Sequence, residues 1–516
     1  MISVSEEWKQ AHTRRLLPET FIEISYAVTE PGLQEDASAK ANLEESYSDT
    51  KSVTSPITVN REKYSSLELN YWGLDGSFTY YDETPKNPGY VSSALSGEDT
   101  SFTALPTMEI SFGTLHTELI PGITITWSES LNEWASSFRI VAYNGSTRVA
   151  EKLVVGNTTP LSQIWIDLQN YNKFTIEVLK WSHPQHRARI ARVFLGIRTI
   201  YTKDDLLGYT HSQSVDLLSA ALPKNEIVFR LRNEDSRWNP ENPTGAERYL
   251  MERQEVYVKY GMTVGDNTEW IDGGHFWLSG WLTPSNGIEA SITARDLLEF
   301  MNEKYTGRME GTLYGIASDA FRQANLPITE TGKSRYYIDD SLYDSIGYIK
   351  GENTIAEVLQ KVAHMGCCVL YQDRNGVMRL EPRKNILTDY EIRRDISYSH
   401  PEFEISKPLK AVDVSYGEEG NYLLPVSASG EVQTVSNDFI GTEEDARRVA
   451  EVTAAMLKGR KTISGEFRAD PRLDALDIVR VESKFATNPV VISEIEYSTT
   501  GGGFHGKFIG RVMQDG

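Results

Sequence analysis

Two histidines, His183 and His186, are the residues of this sequence with the spacing most typical of metal ligands. Imidazole nitrogens bind zinc, and a helix would place residues three apart on one face. Pro184 opposes a helix there, and no third histidine, cysteine or carboxylate lies near the pair. We therefore interpret both histidines as residues of a surface loop.

Paired carboxylates could act as the acid and the base of sugar hydrolysis, and the sequence offers Glu129 with Glu133 and Asp339 with Asp340. Chance pairs are frequent among 73 acidic residues, so these pairs do not predict catalysis. No G-x-S-x-G, H-E-x-x-H or C-x-x-C motif occurs. The glycines at 501–503 are typical of a hairpin tip, since no helix or lysine follows them as in a phosphate loop. The sequence does not predict an enzyme.

Aromatic rings that stack on sugar faces, together with polar groups that bind hydroxyls, are the better candidates for ligand binding. They lie in a stretch of short aromatic strands and turns over residues 70–198. An aromatic residue in such a strand is more often part of the core, so each is weighed against that alternative. The candidate carbohydrate-binding residues are Trp72, Tyr80, Tyr81, Tyr90, Trp134, Tyr143, Asn144 and Arg187, with Asp75 as a further polar partner.

Composition limits the classes of protein and partner. At 516 residues the chain exceeds one core, and we expect three or four domains. A formal charge of −21 opposes nucleic-acid binding. Adjacent Cys367 and Cys368 predict reduced thiols and assembly in a reducing cytoplasm. The sequence shows no signal peptide and no apolar run long enough to span a membrane.

The strands of residues 70–198 follow one another without helical patterns, which favours a β-sandwich. Asn144-Gly145 predicts one of its hairpin turns. The segments YWGLDGSF (residues 71–78) and RIARVFLGI (residues 189–197) resemble those of discoidin-like and galactose-binding-like modules. The resemblance implies a jelly-roll carbohydrate-binding module, with Asp75 near a structural calcium site. No other cofactor is expected.

A second resemblance lies in residues 222–260, where two alternating strands flank a polar loop that starts N-E-D-S-R-W-N-P. This loop resembles the first barrel of the tail hub proteins of phages and related injection machines. The later phrase DPRLDALDIV (residues 470–479) resembles the loop of the family's second barrel. Between them, helical stripes over 313–324 and 355–363, the second with a Thr354–Glu357 capping box, resemble the family's α/β domain.

The predicted fold is mainly β, with a smaller α/β part. We expect hub barrel 1 in residues 1–65 and 200–308, an inserted sandwich in 66–199, an α/β domain in 309–400 and hub barrel 2 in 401–516. Further expectations are a short helix capped by Ser3 and ending near His12, a strand pair in 275–282 and a helix over 446–457.

The hub resemblance implies a structural subunit of a virion tail tip or baseplate, assembled in the host cytoplasm. It implies a homotrimeric ring that matches the sixfold tail tube to a threefold tip, with distal tail, tape-measure, tip and fibre proteins as partners. The inserted module would contact host cell-wall polysaccharide. Two alternatives stay open at this point: a cell-wall-degrading enzyme with a carbohydrate-binding targeting module, and a secreted, monomeric surface adhesin.

Overall fold

The structure is a computed structural model that describes residues 1–14, 19–54, 63–64, 66–71, 78–79, 88–128, 130–239, 241–242, 245–265, 267–283, 287–327, 333–499 and 504–513. Its elements are mostly antiparallel strands, as the sequence predicts. The chain begins with helix α1 (Glu6–Thr13) and strand β1 (Thr20–Val28). The predicted cap at Ser3 is wrong: Ser5 caps α1, because its side chain accepts a hydrogen bond from Trp8 N.

A β-sandwich separates β1 from the next barrel strand. One of its sheets has the order β2-β6-β11-β8-β9, and β10-β7-β13 pack over the same core. Asn144 and Gly145 form the predicted turn between β8 and β9. The elements of this region are α2 (Leu33–Asp36), β2 (Ala37–Ala41), β3 (Lys63–Tyr64), β4 (Phe78–Thr79), β5 (Tyr90–Leu95), β6 (Thr107–His116), β7 (Ile120–Thr126), β8 (Ala135–Asn144), β9 (Thr147–Val155), β10 (Leu161–Leu168), β11 (Tyr171–Trp181), β12 (Arg187–Ile190) and β13 (Arg192–Phe194).

The sandwich begins earlier than residue 66, the boundary that the sequence predicts. Leu33, Ala39 and Val53 are buried in its core, and β2 is an edge strand of its larger sheet. Residues 33–54 therefore belong to the insert and not to barrel 1. Val28 on β1 pairs directly with Ile197 on the strand that follows the insert, so the two ends of the insert lie side by side.

Barrel 1 combines β1 with six strands that follow the insert. The predicted strand pair in residues 275–282 is wrong, because these residues belong to one long strand, β18. A 3-10 turn, Leu297–Phe300, follows the last strand. The six strands are β14 (Ile197–Tyr201), β15 (Leu206–Ser214), β16 (Lys224–Arg232), β17 (Glu255–Val264), β18 (Asn267–Leu282) and β19 (Glu289–Arg295).

The α/β domain extends beyond residue 400. Its core joins α3 and α4 to a three-stranded sheet, β28-β27-β29, and to α5, so the predicted boundary at 400 is too early. The predicted capping box of Thr354 and Glu357 is present. The elements are β20 (Glu310–Thr312), α3 (Leu313–Ala324), β21 (Tyr336–Ile338), β22 (Ile346–Tyr348), α4 (Ile355–Met365), β23 (Val369–Gln372), β24 (Met378–Glu381), β25 (Leu387–Ile392), β26 (Glu402–Ile405), β27 (Leu409–Tyr416), β28 (Gly420–Pro425), β29 (Glu431–Ser436) and α5 (Glu443–Lys458).

Barrel 2 takes β25 and β26 from the preceding region and adds four further strands. They are β30 (Lys461–Arg468), β31 (Ile478–Glu482), β32 (Thr487–Thr499) and β33 (Phe504–Val512). One hydrophobic core runs through both barrels. Cys367 and Cys368 carry no disulfide, and none of the helices in the described ranges is long and apolar enough to cross a membrane.

Candidate functional site

The two barrels repeat one strand order. In barrel 1 the order is β1-β17-β18-β19-β16-β15, and in barrel 2 it is β25-β31-β32-β33-β30-β26. Strands at the same place in the two orders also follow one another in the same order along the chain, so that β1 corresponds to β25, β15 to β26, β16 to β30, β17 to β31, β18 to β32 and β19 to β33. The repeat differs at one end, because β1 pairs antiparallel with β17 whereas β25 pairs parallel with β31, and barrel 1 has the additional strand β14.

The repeat includes a β-bulge at the same place. The pairing of β18 with β19 skips Ser279, and the pairing of β32 with β33 skips Ser493. When these serines are aligned, Ile227 of β16 coincides with Ile463 of β30, and both side chains are fully buried. The spacing hydrophobic-Ser-x-hydrophobic occurs at both bulges in the sequence, and comparing the two halves of the chain would have found it.

Each barrel also holds a bulky residue in the left-handed backbone region just before the strand that borders the bulged one. Arg253 has φ 67° and Leu476 has φ 77°. Arg253 N donates to Leu278 O at 2.7 Å, and Leu476 N donates to Ile492 O at 2.8 Å. Such residues rarely adopt positive φ. The positive φ angle at matched positions of the two barrels supports a duplication. No sequence pattern marks these two residues.

Contacts between strands that are far apart in the strand order show that the sheet curls in both halves. Tyr201 on β14 and Phe229 on β16 are five steps apart in the strand order, yet their ring centroids are 6.5 Å apart. In barrel 2, the segment after β25 returns to β30 through a bridge between Ser397 and Phe467. The two curled units are joined by an antiparallel ladder of β15 with β32, from Tyr209–Thr499 to Ser214–Glu494.

A buried polar network lies inside this ladder. Tyr260 OH lies 2.7 Å from Tyr209 OH and 2.8 Å from His211 Nδ1. His211 Nε2 lies 2.8 Å from Asn225 Oδ1. Burial lowers the pKa of His211 to about 4, and the nearby Arg374 charge acts in the same direction against the Asn225 hydrogen bond. The histidine is therefore neutral at pH 7 and ties β15 to β16 and β17 within barrel 1.

We expect His211 to make the barrels less stable in acid. Its folded pKa of about 4 lies below the ordinary 6.5, so stability present above pH 6.5 is lost as the pH falls toward 4. The loss amounts to about 3 kcal/mol at most. In urea unfolding at pH 7 and pH 4.5, His211→Gln should reduce the dependence on pH. His505→Gln, on a more exposed histidine, is the control, and equal pH dependence in both variants would contradict this role.

Arg374 joins three domains at the same place. From the β23–β24 turn of the α/β domain, its Nε donates to both carboxylate oxygens of Asp474 at 2.9 and 3.0 Å. Nη1 donates to Asp272 O of barrel 1, and Nη2 donates to Leu473 O of barrel 2. The side chain is only 8% exposed. The sequence gives no sign of these contacts, because the residues that make them are about 100 positions apart along the chain.

The second motif loop is held by its own side chains. Asp470, which is fully buried, accepts from Arg472 Nε and Nη2, and Tyr497 OH donates to the Asp470 and Leu473 carbonyls. Burial raises the pKa of Asp470, but His12 and Arg472 outweigh it and hold the pKa below its ordinary value. The loop therefore packs barrel 2 together, and its charged groups already have partners.

The first motif loop has a similar construction. Asn233 is buried, and its Oδ1 accepts from Trp238 N at 2.8 Å while Trp238 packs in the barrel core. The loop then contacts the insert: the Arg237 guanidinium lies 5.4 Å from the Trp165 ring centroid, and Tyr249 OH donates to Asp167 at 2.5 Å. The loop thus shapes the barrel end and also supports the sandwich.

Four predicted carbohydrate-binding residues lie outside the described residues: Trp72, Asp75, Tyr80 and Tyr81. Tyr90 is fully buried, and its hydroxyl donates to Asn42 O, so it packs in the core.

The remaining predicted binding residues lie at two ends of the sandwich. Trp134 precedes β8, whereas Tyr143 and Asn144 end it, about 30 Å away for a ten-residue strand. Trp134 is half-buried, with Nε1 donating to Asn157 O at 2.9 Å. Arg187 donates to the carbonyls of Ser92 and Ser93. The structure therefore does not bring these four residues into one site.

Glu133 and His186, which the sequence offers as a possible catalytic residue and a possible metal ligand, belong to a buried polar network. The prediction that His186 lies in a surface loop is wrong, because the residue is 4% exposed. His186 Nδ1 lies 2.8 Å from Glu133 Oε1, and Trp181 Nε1 donates to Glu133 Oε2 at 2.8 Å. Arg189 pairs with the buried Glu68. Burial raises the pKa of Glu68, but Arg189 holds it below its ordinary value. The network fixes residues 66–71 on the sandwich, and its carboxylates are occupied.

Asp339, another candidate carboxylate, also has a structural partner. Asp339 caps a 3-10 turn by accepting from Ser341 N, and Glu129 lies outside the described residues. Within the described ranges, no group of three or more histidine, cysteine or carboxylate side chains is placed to hold a metal ion. The calcium site expected near Asp75 lies outside these ranges and stays a prediction.

No protein-family model matches the sequence, and no curated protein matches it. The structure is similar to the 43 kDa tail protein of prophage MuSo2 from Shewanella oneidensis, at 13% identity and TM-score 0.41, over 60% of this chain and 94% of that one. It is similar to a tail protein from Neisseria meningitidis at 10% identity and TM-score 0.42, over 61% and 93%. The family 32 carbohydrate-binding module of C. perfringens NanJ, solved with galactose, matches at 17% identity and TM-score 0.20, over 34% and 99%. All three TM-scores lie below 0.5, so these similarities by themselves assign no function to the chain.

Proposed function

We propose that the chain is a structural tail hub subunit of a phage or phage-like particle, located at the tail tip or baseplate. The observation that carries this proposal is the duplicated barrel with its matched strand order, bulge and left-handed residue. One chain presents two similar barrels edge to edge. A ring of three chains would then present six similar barrels to a sixfold tail tube and only three copies of every other domain to the tip.

The polar groups at the barrel ends support a structural role. Asp470, Arg472, Arg374 and Asp474 are paired with each other or with backbone groups. Groups that are already saturated stiffen a joint but offer a substrate little to bind. The partners that we propose are therefore proteins: a second and a third copy, the distal tail or tail-tube protein above, and tip, fibre and tape-measure proteins below.

The mass of the purified protein tests this proposal. Light scattering at micromolar concentration, alone and mixed with tail-tube protein, should show a particle of three chains in at least one condition. A protein that stays monomeric in both conditions would contradict the ring. Addition of the protein to purified cell walls should release no sugar, and wall digestion would favour the enzyme alternative.

We further propose that the sandwich binds host cell-wall polysaccharide, with a structural calcium ion near Asp75. Trp134 N donates to Ser182, five residues before Arg187 in the chain, and Arg187 N donates to Glu68, four residues before Trp72, so this end of the sandwich is the favoured site. Tyr143 and Asn144 at the opposite end serve as the comparison. Trp72, Tyr80 and Tyr81 stay predicted binding residues.

Removal of the insert should abolish wall binding and leave the barrels folded. Val28 and Ile197 face each other across the β1–β14 ladder, so Asn-Gly in place of residues 29–196 should close a two-residue hairpin. Binding to purified walls should fall at least tenfold in a sedimentation assay. The number of chains in the oligomer should stay the same, so its mass should fall only by the mass of the deleted inserts. Trp134→Ala is the narrower variant and Tyr143→Ala its control. Undiminished wall binding without the insert would contradict the receptor role.

A further inference from the structure

The duplication predicts which strand edges meet between neighbouring copies, and this inference rests on the proposed ring. Within one chain the barrels are joined by β15 of barrel 1 and the second half of β32 of barrel 2. In the repeated strand order, β15 corresponds to β26 and β32 corresponds to β18. The equivalent joint between two copies would therefore pair β26 of one copy with the end of β18 of the next.

Residue equivalences follow from the aligned bulges. His211 pairs with Ile227 and Phe403 pairs with Ile463, so Phe403 corresponds to His211 and Ile405 to Gln213. Because Ser279 corresponds to Ser493, Trp281 corresponds to Ile495. Inside the chain, Gln213 lies opposite Ile495. Ile405 of one copy should therefore lie opposite Trp281 of the next.

Large side chains of the β15–β32 joint are buried, whereas their counterparts on β26 and β18 are exposed. This difference is expected if the first joint is occupied within the chain and the second is occupied only between copies. His211, Ile495 and Tyr497 at the joint within the chain are at most 2% exposed. Of their counterparts, Phe403 is 45% exposed and Trp281 is 36% exposed. Their neighbours Ile405 and Leu282 are 61% and 70% exposed. Two short strand edges thus present large apolar side chains to solvent, and two of these, Phe403 and Trp281, occupy positions that are buried in the other half of the molecule.

The backbone edges are open as well. β26 ends the path of the large sheet, with β30 as its one ladder partner among the described strands. On β18, the ladder with β17 ends at Trp277, and Leu278 makes two further backbone hydrogen bonds, to Arg253 and Gln254. On the edge that faces β17, no described strand pairs with residues 279–282. An open strand edge with apolar side chains is a site for pairing with another chain.

We propose that copies of this chain assemble head to tail by antiparallel pairing of β26 with residues 279–282 of β18 in the next copy. The occupant of each edge is a second copy of the chain, because the other half of the molecule supplies the template for the contact. Such a contact joins two different surfaces, and it closes into a ring when the rotation between copies is a simple fraction of a turn. Three repeats of a two-barrel unit then alternate contacts within and between chains.

Single charge substitutions test the contact in the full-length protein. Ile405→Glu and Trp281→Glu, on opposite sides of the proposed pair, should each lower the trimer fraction at least tenfold in light scattering without changing the melting temperature. Phe485→Glu is the matched control, because Phe485 is 91% exposed and lies on neither edge. Trimers that survive both substitutions at the wild-type level would overturn the contact.

A cross-link gives a second readout that does not depend on weakening the protein. Ser212 lies opposite Glu496 within the chain, which places Glu404 of one copy opposite Leu282 of the next. Directly opposite residues have Cβ atoms about 5 Å apart. The chain with both Glu404→Cys and Leu282→Cys should give covalent dimers and trimers with a short thiol cross-linker, and each single variant should not. Trimers by mass without cross-linking would refute this contact and leave the hub proposal standing, whereas absence of trimers in the wild type with tail-tube protein would refute the hub proposal itself.

Discussion

Replacement of Arg374 by alanine is expected to lower the free energy of unfolding by about 1.5 to 3 kcal/mol, the usual value of hydrogen bonds that involve a charged group. Arg374 donates to Asp474 and to the carbonyls of Asp272 and Leu473. Its removal takes the charged partner from Asp474 and one donor from each of the Asp272 and Leu473 carbonyls, at the junction of both barrels and the α/β domain. Urea unfolding at pH 7, followed by tryptophan fluorescence, measures the change.

Arg393→Ala is the matched control for this prediction. Arg393 pairs with Asp395 in a largely exposed ion pair, with side chains 40% and 63% exposed. Such pairs contribute about 0 to 1 kcal/mol. Equal effects of the two substitutions would show that Arg374 does not join the domains as the geometry indicates.

Asp296→Asn is expected to stabilise the protein at pH 8. Asp296 is 3% exposed, and its Oδ1 caps the 3-10 turn by accepting from Leu298 N, while Oδ2 has no hydrogen-bond partner. Burial raises the pKa of Asp296 to about 7. Since the folded pKa lies above the ordinary 3.8, stability present below pH 4 is lost as the pH rises through 7. The loss is on the order of 4 kcal/mol.

Asparagine retains the oxygen that caps the turn and removes the ionisable group. The variant should therefore unfold at higher urea concentration than the wild type at pH 8 and at nearly the same concentration at pH 4.5. Asp389→Asn is the control, because the Asp389 side chain is 62% exposed. A variant that is no more stable than the wild type at pH 8 would contradict the buried, unpartnered carboxylate.

The sequence predicts those parts of the fold that depend on local pattern. Strand alternation such as that of Ile227, Phe229 and Leu231, and the helical stripe over 313–324, appear in the structure where they were expected. The motif loops are also recognisable, since their asparagine and aspartate side chains bond to backbone groups a few residues away.

The domain boundaries are less predictable because they depend on contacts far apart along the chain. Leu33 and Val53 lie in a polar, serine-rich stretch, and only the sandwich core shows where they belong. Likewise Val412 and Val449 join the α/β core although residues 401–516 read as strands of a second barrel with one helix. Val28 and Ile197 mark the true ends of the insert, but no local pattern pairs residues so distant.

The candidate site shows the same division. Asn144 is easily recognised beside Gly145 as a residue next to a turn, yet the length of β8 separates it from Trp134. The exposed Phe403 and Ile405 attract attention only when the duplicated strand order identifies them as counterparts of a buried joint.

Images of the assembled protein along its axis test the central claim most directly. Single-particle averages, calculated without imposed symmetry on the purified oligomer or on the particle tip, should show six barrel densities around a channel, with the inserts at three positions only. Three copies whose barrels do not alternate around one ring, or a particle with a different number of copies, would contradict the claim that the duplicated barrel lets a trimer match a sixfold tube.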